Sequence, residues 1–475
     1  MATVYTSAAR RPDRHSCRTY RMPQRSLKRR TFRAPDPARR DGHAPFLEVL
    51  GRVRARTPRW YRCRAGLMVL ELLDRVWSTR RRSTTIGLHR RLAIRRAVAK
   101  VRPKATRVVL DQVLHLVAPG TGPHAEALAA LMEYGKRLQY ESEFRLASHV
   151  YMMVIDYAAQ IGHTSVLPDA YERHGRCMSE RGSARAAMAS YATGLALAAR
   201  HRNVPARLQI AVAKAELYCS LKDSSSACRL LDPLLPRARK LGNPKLLMEV
   251  LHVRANVAHN LGDDLQALVF FAGAFENCQD LKHGGRLLND MALTLLTLGF
   301  ISEARKAFLV SSSSTRGDSF AKWAAMINLM MLAHRRRDEA GFDQYRRMLE
   351  PAPMSARLLV AYWREVADGS SVFSRRAEAQ AAYRRAAGYA ARYGYFEEGK
   401  ELDRLLKGEL SPSARVPRPP ANLPVSAQEL LEKVRMLRSL PEFLSRTSSG
   451  DANTSSVTGL RTTLKRGPRP RAAIV

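Results

Sequence analysis

Residues 131–158, LMEYGKRLQYESEFRLASHVYMMVIDYA, carry the pattern on which the fold is read. Apolar and small residues recur at helical spacing on both sides of Glu141-Ser142-Glu143, which predicts two helices joined by a tight turn. Three positions in the stretch matter most: Gly135 in the first helix, Ala147 twelve residues later in the second, and Tyr151 four residues beyond that. The triplet returns as Gly175, Ala187 and Tyr191; as Ala215, Ala227 and Leu231; as Ala255, Ala267 and Phe271; as Ala292, Ala304 and Phe308; and later as Ala367, Ala379 and Tyr383. The first four copies keep an unbroken 40-residue period. Two antiparallel helices approach closely only where each presents a small side chain, so small residues in phase mark a helix crossing repeated along the chain. The bulky residue one turn later is expected to fill the hole against the next unit. Between the helices stand turn signals such as Glu180-Arg181-Gly182-Ser183, Leu261-Gly262-Asp263-Asp264 and Leu298-Gly299-Phe300-Ile301.

The register fades between Ser311 and Ala352. The run Ser311 to Thr315 reads as a loop, and Asn328 to Tyr345 fits a sixth hairpin approximately, for about seven in all. From Tyr389, YAARYGYFEEGKELDRLLKG reads as a capping helix, needed because an end repeat would otherwise expose its apolar face. The organisation expected outward from the repeats is an Arg-rich disordered arm over 1–45, a basic helical region over 46–120, the solenoid over 121–410, a Pro-rich linker over 411–425, an amphipathic helix over 426–444, and a disordered basic tail over 445–475. Thr57-Pro58 opens a helix carrying Leu67, Leu70, Leu73, Val76 and Trp77, a second helix starts after Thr85, and a third follows Pro103. Ser426 and Glu429 form an S-x-x-E capping box for a helix that ends near Phe443.

The stretches 131–158 and NVAHNLGDDLQALVFFAGAFENC, 256–278, resemble the tetratricopeptide-repeat (TPR) family. The family's early tryptophan is missing, its terminal proline is mostly missing, and the period exceeds the usual 34 or so residues; long repeats of this kind are similar to bacterial regulatory TPR domains. The resemblance implies an all-α fold, a right-handed superhelix of αα-hairpins whose first helices line a concave groove. Residues just after the crossing should point into that groove: Lys136, Arg176, Glu216, Asn256 and Leu293. One turn away stand Met132, Gln139, Glu172, His252, His259, Asn260 and Asn289. Asn and Gln amides can hydrogen-bond an extended peptide backbone, and Lys136 with Arg176 could receive a carboxylate. The plainer reading of each is a hydrated helix-face residue. His252 and His259 lie two turns apart, with no further ligand to complete a metal set, so no metal or cofactor is assigned.

The formal net charge is +38. Residues 1–120 hold 30 Lys and Arg against 7 Asp and Glu. Within them Arg90, Arg91, Arg95, Arg96 and Lys100 stand opposite Leu88, Leu92 and Ala97, a basic amphipathic pattern that could lie on phosphates. Against that stands a count of 65 Arg to 15 Lys, which a GC-rich coding genome produces unaided, and the lack of interleaved aromatics for base stacking. The six cysteines form no CxxC pair, and no signal peptide or membrane span is indicated, so a reduced, cytoplasmic setting is expected. There is no GxxxxGK[ST], HExxH or GxSxG, and little β-pattern on which to build an α/β active site. The expected function is therefore a non-enzymatic adaptor or sensor that holds a protein or peptide. The alternative is a nucleic-acid-associated regulator whose basic N-terminal region contacts phosphates.

Overall fold

The structure is a computed structural model that describes residues 42–77, 88–117, 124–313, 319–352, 354–393, 395–408 and 419–448. Among them are 21 α-helices and no strand. The arm and the tail read from sequence as disordered lie, but for their inner ends, outside the described residues.

Four helices come first: α1 (Ala44–Arg52), α2 (Pro58–Trp77), α3 (Leu88–Ala99) and α4 (Lys104–Leu116). The Thr57 hydroxyl accepts from the Trp60 amide at 3.2 Å, capping α2 where the Thr-Pro pair placed its start. Leu70, Leu73 and Trp77 of α2 share one core with Val109 and Val113 of α4 and with the first repeat helices. On α3 the buried face is Ile94 and Val98 with Ala97 packed beside them, whereas Leu92, expected on the apolar face, is 40% exposed. The reason is rotational: Ile94 and Val98 are one turn apart and lead into buried Val101, which sets the helix on that side.

Seven hairpins follow: α5 (Ala125–Tyr140) with α6 (Phe144–Gln160), α7 (Leu167–Glu180) with α8 (Ala184–Arg200), α9 (Val204–Ser220) with α10 (Ser224–Leu241), α11 (Pro244–Asn260) with α12 (Asp264–Glu276), α13 (Leu281–Thr297) with α14 (Ile301–Ser313), α15 (Ser319–Arg335) with α16 (Glu339–Leu349), and α17 (Ala356–Val372) with α18 (Arg376–Tyr393). Helix α19 (Phe396–Leu406) packs on α18. Ser311 to Ser313, read as a loop, complete the last turn of α14, where the buried Ser311 hydroxyl donates to the Gly285 carbonyl at 2.9 Å.

One device closes every hairpin. Ser142, Gly182, Lys222, Gly262, Gly299, Arg337 and Ser374 all have positive φ, and each falls seven residues after the crossing position of its first helix. In the first of these turns the Ser142 amide donates to Gln139 O and the Glu143 amide to Leu138 O, the paired bonds of a Schellman motif. The same pair of bonds recurs at 182–183, 222–223, 262–263, 299–300, 337–338 and 374–375. The count places the sixth crossing at Met330, with Phe342 and Arg346 where other hairpins have alanine and an aromatic or leucine. Large residues stand at all three positions there, which is why the sequence register is lost. The compensation sits in the next hairpin: the Phe342 ring occupies the space a Cβ at Gly369 would need.

The crossings differ from expectation in one respect. The bulky residue rests on the small one of its own hairpin: a Cβ at Gly135 would fall 2.5 Å from the Tyr151 ring, and Gly175 is covered in the same way by Tyr191. The Tyr151 hydroxyl then donates to Gln139 at 3.1 Å, which anchors the ring within that hairpin.

The array curls until its two ends meet. Ser319 at the start of α15 hydrogen-bonds the Tyr140 carbonyl and lies 3.0 Å from the Ser142 hydroxyl, while Gly182 abuts Tyr393 at the end of α18. After the linker come two short helices, α20 (Val425–Arg435) and α21 (Leu440–Ser448), rather than the single helix expected. Pro424 occupies the N-cap with no side-chain cap bond, so the Ser426 box does not form. The pair folds back on α12, α13 and α14, burying Leu430, Val434, Leu440 and Phe443; Phe443 meets Phe275 edge to face at 4.9 Å. The break between them lets both apolar faces reach a curved surface.

Candidate functional site

The first helices of the hairpins, α5 to α17 in steps of two, surround a hollow of about 290 Å³. Of the residues singled out in the sequence, Gln139, Arg176, Glu216, His252, Asn256, His259, Asn260, Asn289 and Leu293 line it. Lys136, Met132 and Glu172 do not. Only the C-terminal turn of α5, at Gln139 and Tyr140, reaches the hollow; Lys136 is turned to Glu133 on its own helix at 3.6 Å, and Met132 is buried in the core. Glu172 is 2% exposed, beneath Arg173 and Arg176.

The lining side chains form rungs from one hairpin to the next. Arg176 on α7 pairs with Glu172 and with Glu216 on α9. Lys222, in the α9–α10 turn, donates to Asn260 on α11 at 2.8 Å. Asn256 on α11 donates to Asp290 on α13 at 3.1 Å, and His252 joins the same carboxylate at 2.8 Å. Asn328 on α15 donates to Asn289 on α13 at 3.0 Å. His259 turns instead to Asp264 at 2.6 Å, so the two histidines have separate carboxylates; among the described residues no three ligating groups gather as a metal site.

The electrostatics follow from burial set against these partners. Burial pushes the Glu216 carboxyl up, but the charges of Arg176, Arg286, His252 and Arg357 together outweigh it and hold the group below its usual range. Asp290 is raised by burial and lowered more strongly by His252, Arg357 and the Asn289 amide together, ending at about 2. Burial and the nearby charge of Arg357 both lower Lys222. Both carboxylates are therefore ionised at neutral pH and committed to neighbours within the wall.

Sequence reading missed Lys222, Arg286, Asn328 and Arg357, all of which line the hollow. Lys222 stands in the α9–α10 turn, which no glycine announces in the sequence. Asn328 and Arg357 lie in or after the stretch where the period could not be followed. The basic pattern on α3 is partly consumed: Arg91 donates to the Val117 carbonyl at 2.8 Å and Arg90 to Glu71 at 3.4 Å, leaving Arg95, Arg96 and Lys100 exposed. The five thiols among the described residues, Cys63, Cys177, Cys219, Cys228 and Cys278, are free, and no described helix is long and apolar enough to cross a membrane.

No protein-family model and no curated protein matches this chain. Among solved structures it is similar to the Rap conjugation gene regulator of the plasmid pLS20 in complex with the Phr* peptide, at 13% identity and a TM-score of 0.46 over 72% of this chain and 96% of that one. It is also similar to the apo form of the quorum sensor NprR from B. thuringiensis, at 13% identity and a TM-score of 0.36 over 76% of this chain and 90% of that one. With seven αα-hairpins closed by one recurring turn, the described residues form an all-α helical-repeat solenoid.

Proposed function

We propose that this protein is a non-enzymatic adaptor or sensor that receives a short peptide segment in the hollow of its solenoid. The observation that carries the reading is the row of amides, Gln139, Asn256, Asn260, Asn289 and Asn328, aligned along one hollow beside an apolar wall that includes Val253, Leu293 and Ile327. An extended backbone offers a donor and an acceptor at each residue, and an amide side chain offers both in return. The rungs use only part of that capacity: each carboxamide has up to four bonding positions, and Asn256 and Asn328 each spend one donor on a neighbour. A hollow of about 290 Å³ lies at the bottom of the range for ligand sites, too small for a folded domain and suited to a few residues of extended chain.

Selection of a displayed random heptapeptide library on the full chain tests this. Enriched sequences should bind again as isolated peptides, and Asn256→Ala with Asn289→Ala should weaken them about tenfold, the worth of one or two lost hydrogen bonds. Failure to enrich any sequence, or binding indifferent to both substitutions, removes the reading.

A further inference from the structure

The basic pattern on α3 lacks, along its own sequence, the aromatic side chains on which a base could stack, and the fold supplies them from α2. The two helices pack in opposite directions: Arg90 meets Glu71 at one end, and at the other Lys100 stands over the Tyr61 ring, 5.7 Å from its centroid. Trp60 precedes Tyr61 in the first turn of α2, their rings edge to face at 5.3 Å, and the Arg64 guanidinium lies over the Trp60 ring at 4.9 Å. Arg96, one turn back from Lys100, comes level with the turn of α2 that holds Arg64. The Arg62 guanidinium donates to the Arg102 carbonyl at 3.1 Å, which draws the α3–α4 connection against the same end of α2. Two aromatic rings are thus interleaved with cations from segments some 40 residues away along the chain.

The cations at this end are uncommitted. Arg64, Arg96, Lys100 and Arg102 are exposed, and among the described residues none of their side chains makes an ion pair within 4.0 Å. The glutamates that reach this end of α2 are spent: Glu141 on Arg62 and Thr106, and Glu143 on Arg59. On α1 to α4 themselves, Glu48, Glu71 and Asp74 are paired with Arg145, Arg90 and His43, and Asp111 on α4 alone has no partner among the described residues. Clustered cations of this kind favour a polyanion, which releases its own counterions as it binds. Phosphate by itself has no use for the rings. A strand with unpaired bases does, because it offers a π-face beside every phosphate, whereas a duplex keeps its bases stacked on each other. Trp60 and Tyr61 are half-buried, so their positions are largely set before a ligand arrives. Arg64 has no polar partner among the described residues, so a base can take its place over Trp60 while the guanidinium turns to a phosphate.

We infer that the joined end of α2 and α3 is a binding surface for single-stranded nucleic acid, with Trp60 and Tyr61 as the stacking platform and Arg64, Arg96, Lys100 and Arg102 on the phosphates. The surface lies outside the hollow and does not depend on what the hollow binds.

Fluorescence anisotropy on the full chain tests this with labelled oligothymidylate and oligouridylate, an abasic deoxyribose-phosphate strand of the same length, and a duplex of that length. The base-bearing strands should bind about tenfold more tightly than the abasic one, the worth of one stacked base, and Trp60→Ala should remove the difference while Trp60→Phe keeps most of it. Affinity should fall with salt at a log–log slope of about −3, from about four phosphate contacts at roughly 0.7 each, and Arg96→Gln with Lys100→Gln should halve that slope. Unchanged thermal midpoints would show that these variants keep the fold; the abasic comparison needs no variant and decides the matter if one of them unfolds. A preference for one sugar would name the strand as RNA or DNA and support the surface either way. Equal binding of abasic and base-bearing strands, tighter binding of the duplex, equal displacement by inorganic polyphosphate, or a salt slope indifferent to Arg96→Gln with Lys100→Gln would overturn the inference.

Discussion

The first hairpin, α5–α6, and the sixth, α15–α16, share a turn and oppose each other at the crossing. In the first, a glycine on the leading helix accepts the ring of Tyr151 from the returning helix. In the sixth, Met330 and Phe342 fill the two positions that are small elsewhere, both fully buried, and the glycine that makes room is Gly369 in the following hairpin. Both have the same pair of backbone bonds in the turn, at 142–143 and at 337–338. The lesson is that the turn sets the register while the crossing needs only complementary volumes, which can be supplied from within a hairpin or from the next one.

Four substitutions probe that contrast. The largest effect is expected at Phe342, whose ring fills the gap over Gly369 and packs against His334 and Phe373. Phe342→Ala should cost about 3–5 kcal/mol by chemical denaturation. In that background Gly369→Ala should be nearly neutral although it is costly alone, and a double-mutant cycle showing no coupling would break the proposed compensation. Next comes Gly135→Leu, which drives a side chain into the Tyr151 ring and should cost about 1–3 kcal/mol by the same measurement. A neutral result there would mean that the first crossing has slack, and that glycine at 135 is not required by packing. The smallest effect is expected in the shared turn. Arg337 holds a left-handed conformation at φ 57, where a side chain is disfavoured, so Arg337→Gly should raise stability by roughly 0.5–1 kcal/mol. A loss of stability would show that the arginine side chain contributes more in this turn than the backbone strain it carries.

Much of the repeat was legible because its signals are local. Gly135, Ala147 and Tyr151 fall where two helices of fixed pitch must cross, and helical pitch turns a spacing in sequence into a spacing in space. The turn was a better ruler than the crossing residues. Seven residues separate each crossing from its left-handed position, including the four turns where that position is Ser142, Lys222, Arg337 or Ser374 and no glycine announces it. The sixth hairpin could be followed only approximately because its volumes are exchanged with a neighbour, so no single window contains both partners. The C-terminal segment escaped for a related reason: its apolar spacing fitted one amphipathic helix, and the curved surface of α12 to α14 required two.

The hollow shows the same division more sharply. That residues following the crossings at Arg176, Glu216, Asn256 and Leu293 face inward could be read from helical phase, since phase depends only on neighbours along the chain. Which of those groups are spent on each other could not. Arg176 meets Glu216 from the next hairpin, Asn256 meets Asp290 from the one after its own, and Arg357 comes to face Lys222 across more than three hairpins because the array curls until its ends touch. Helix type, crossing and turn are properties of short segments and survive in the sequence. The balance of charge inside the hollow depends on the summed curvature of every hairpin, and small angular increments at each crossing set it only when all of them are in place.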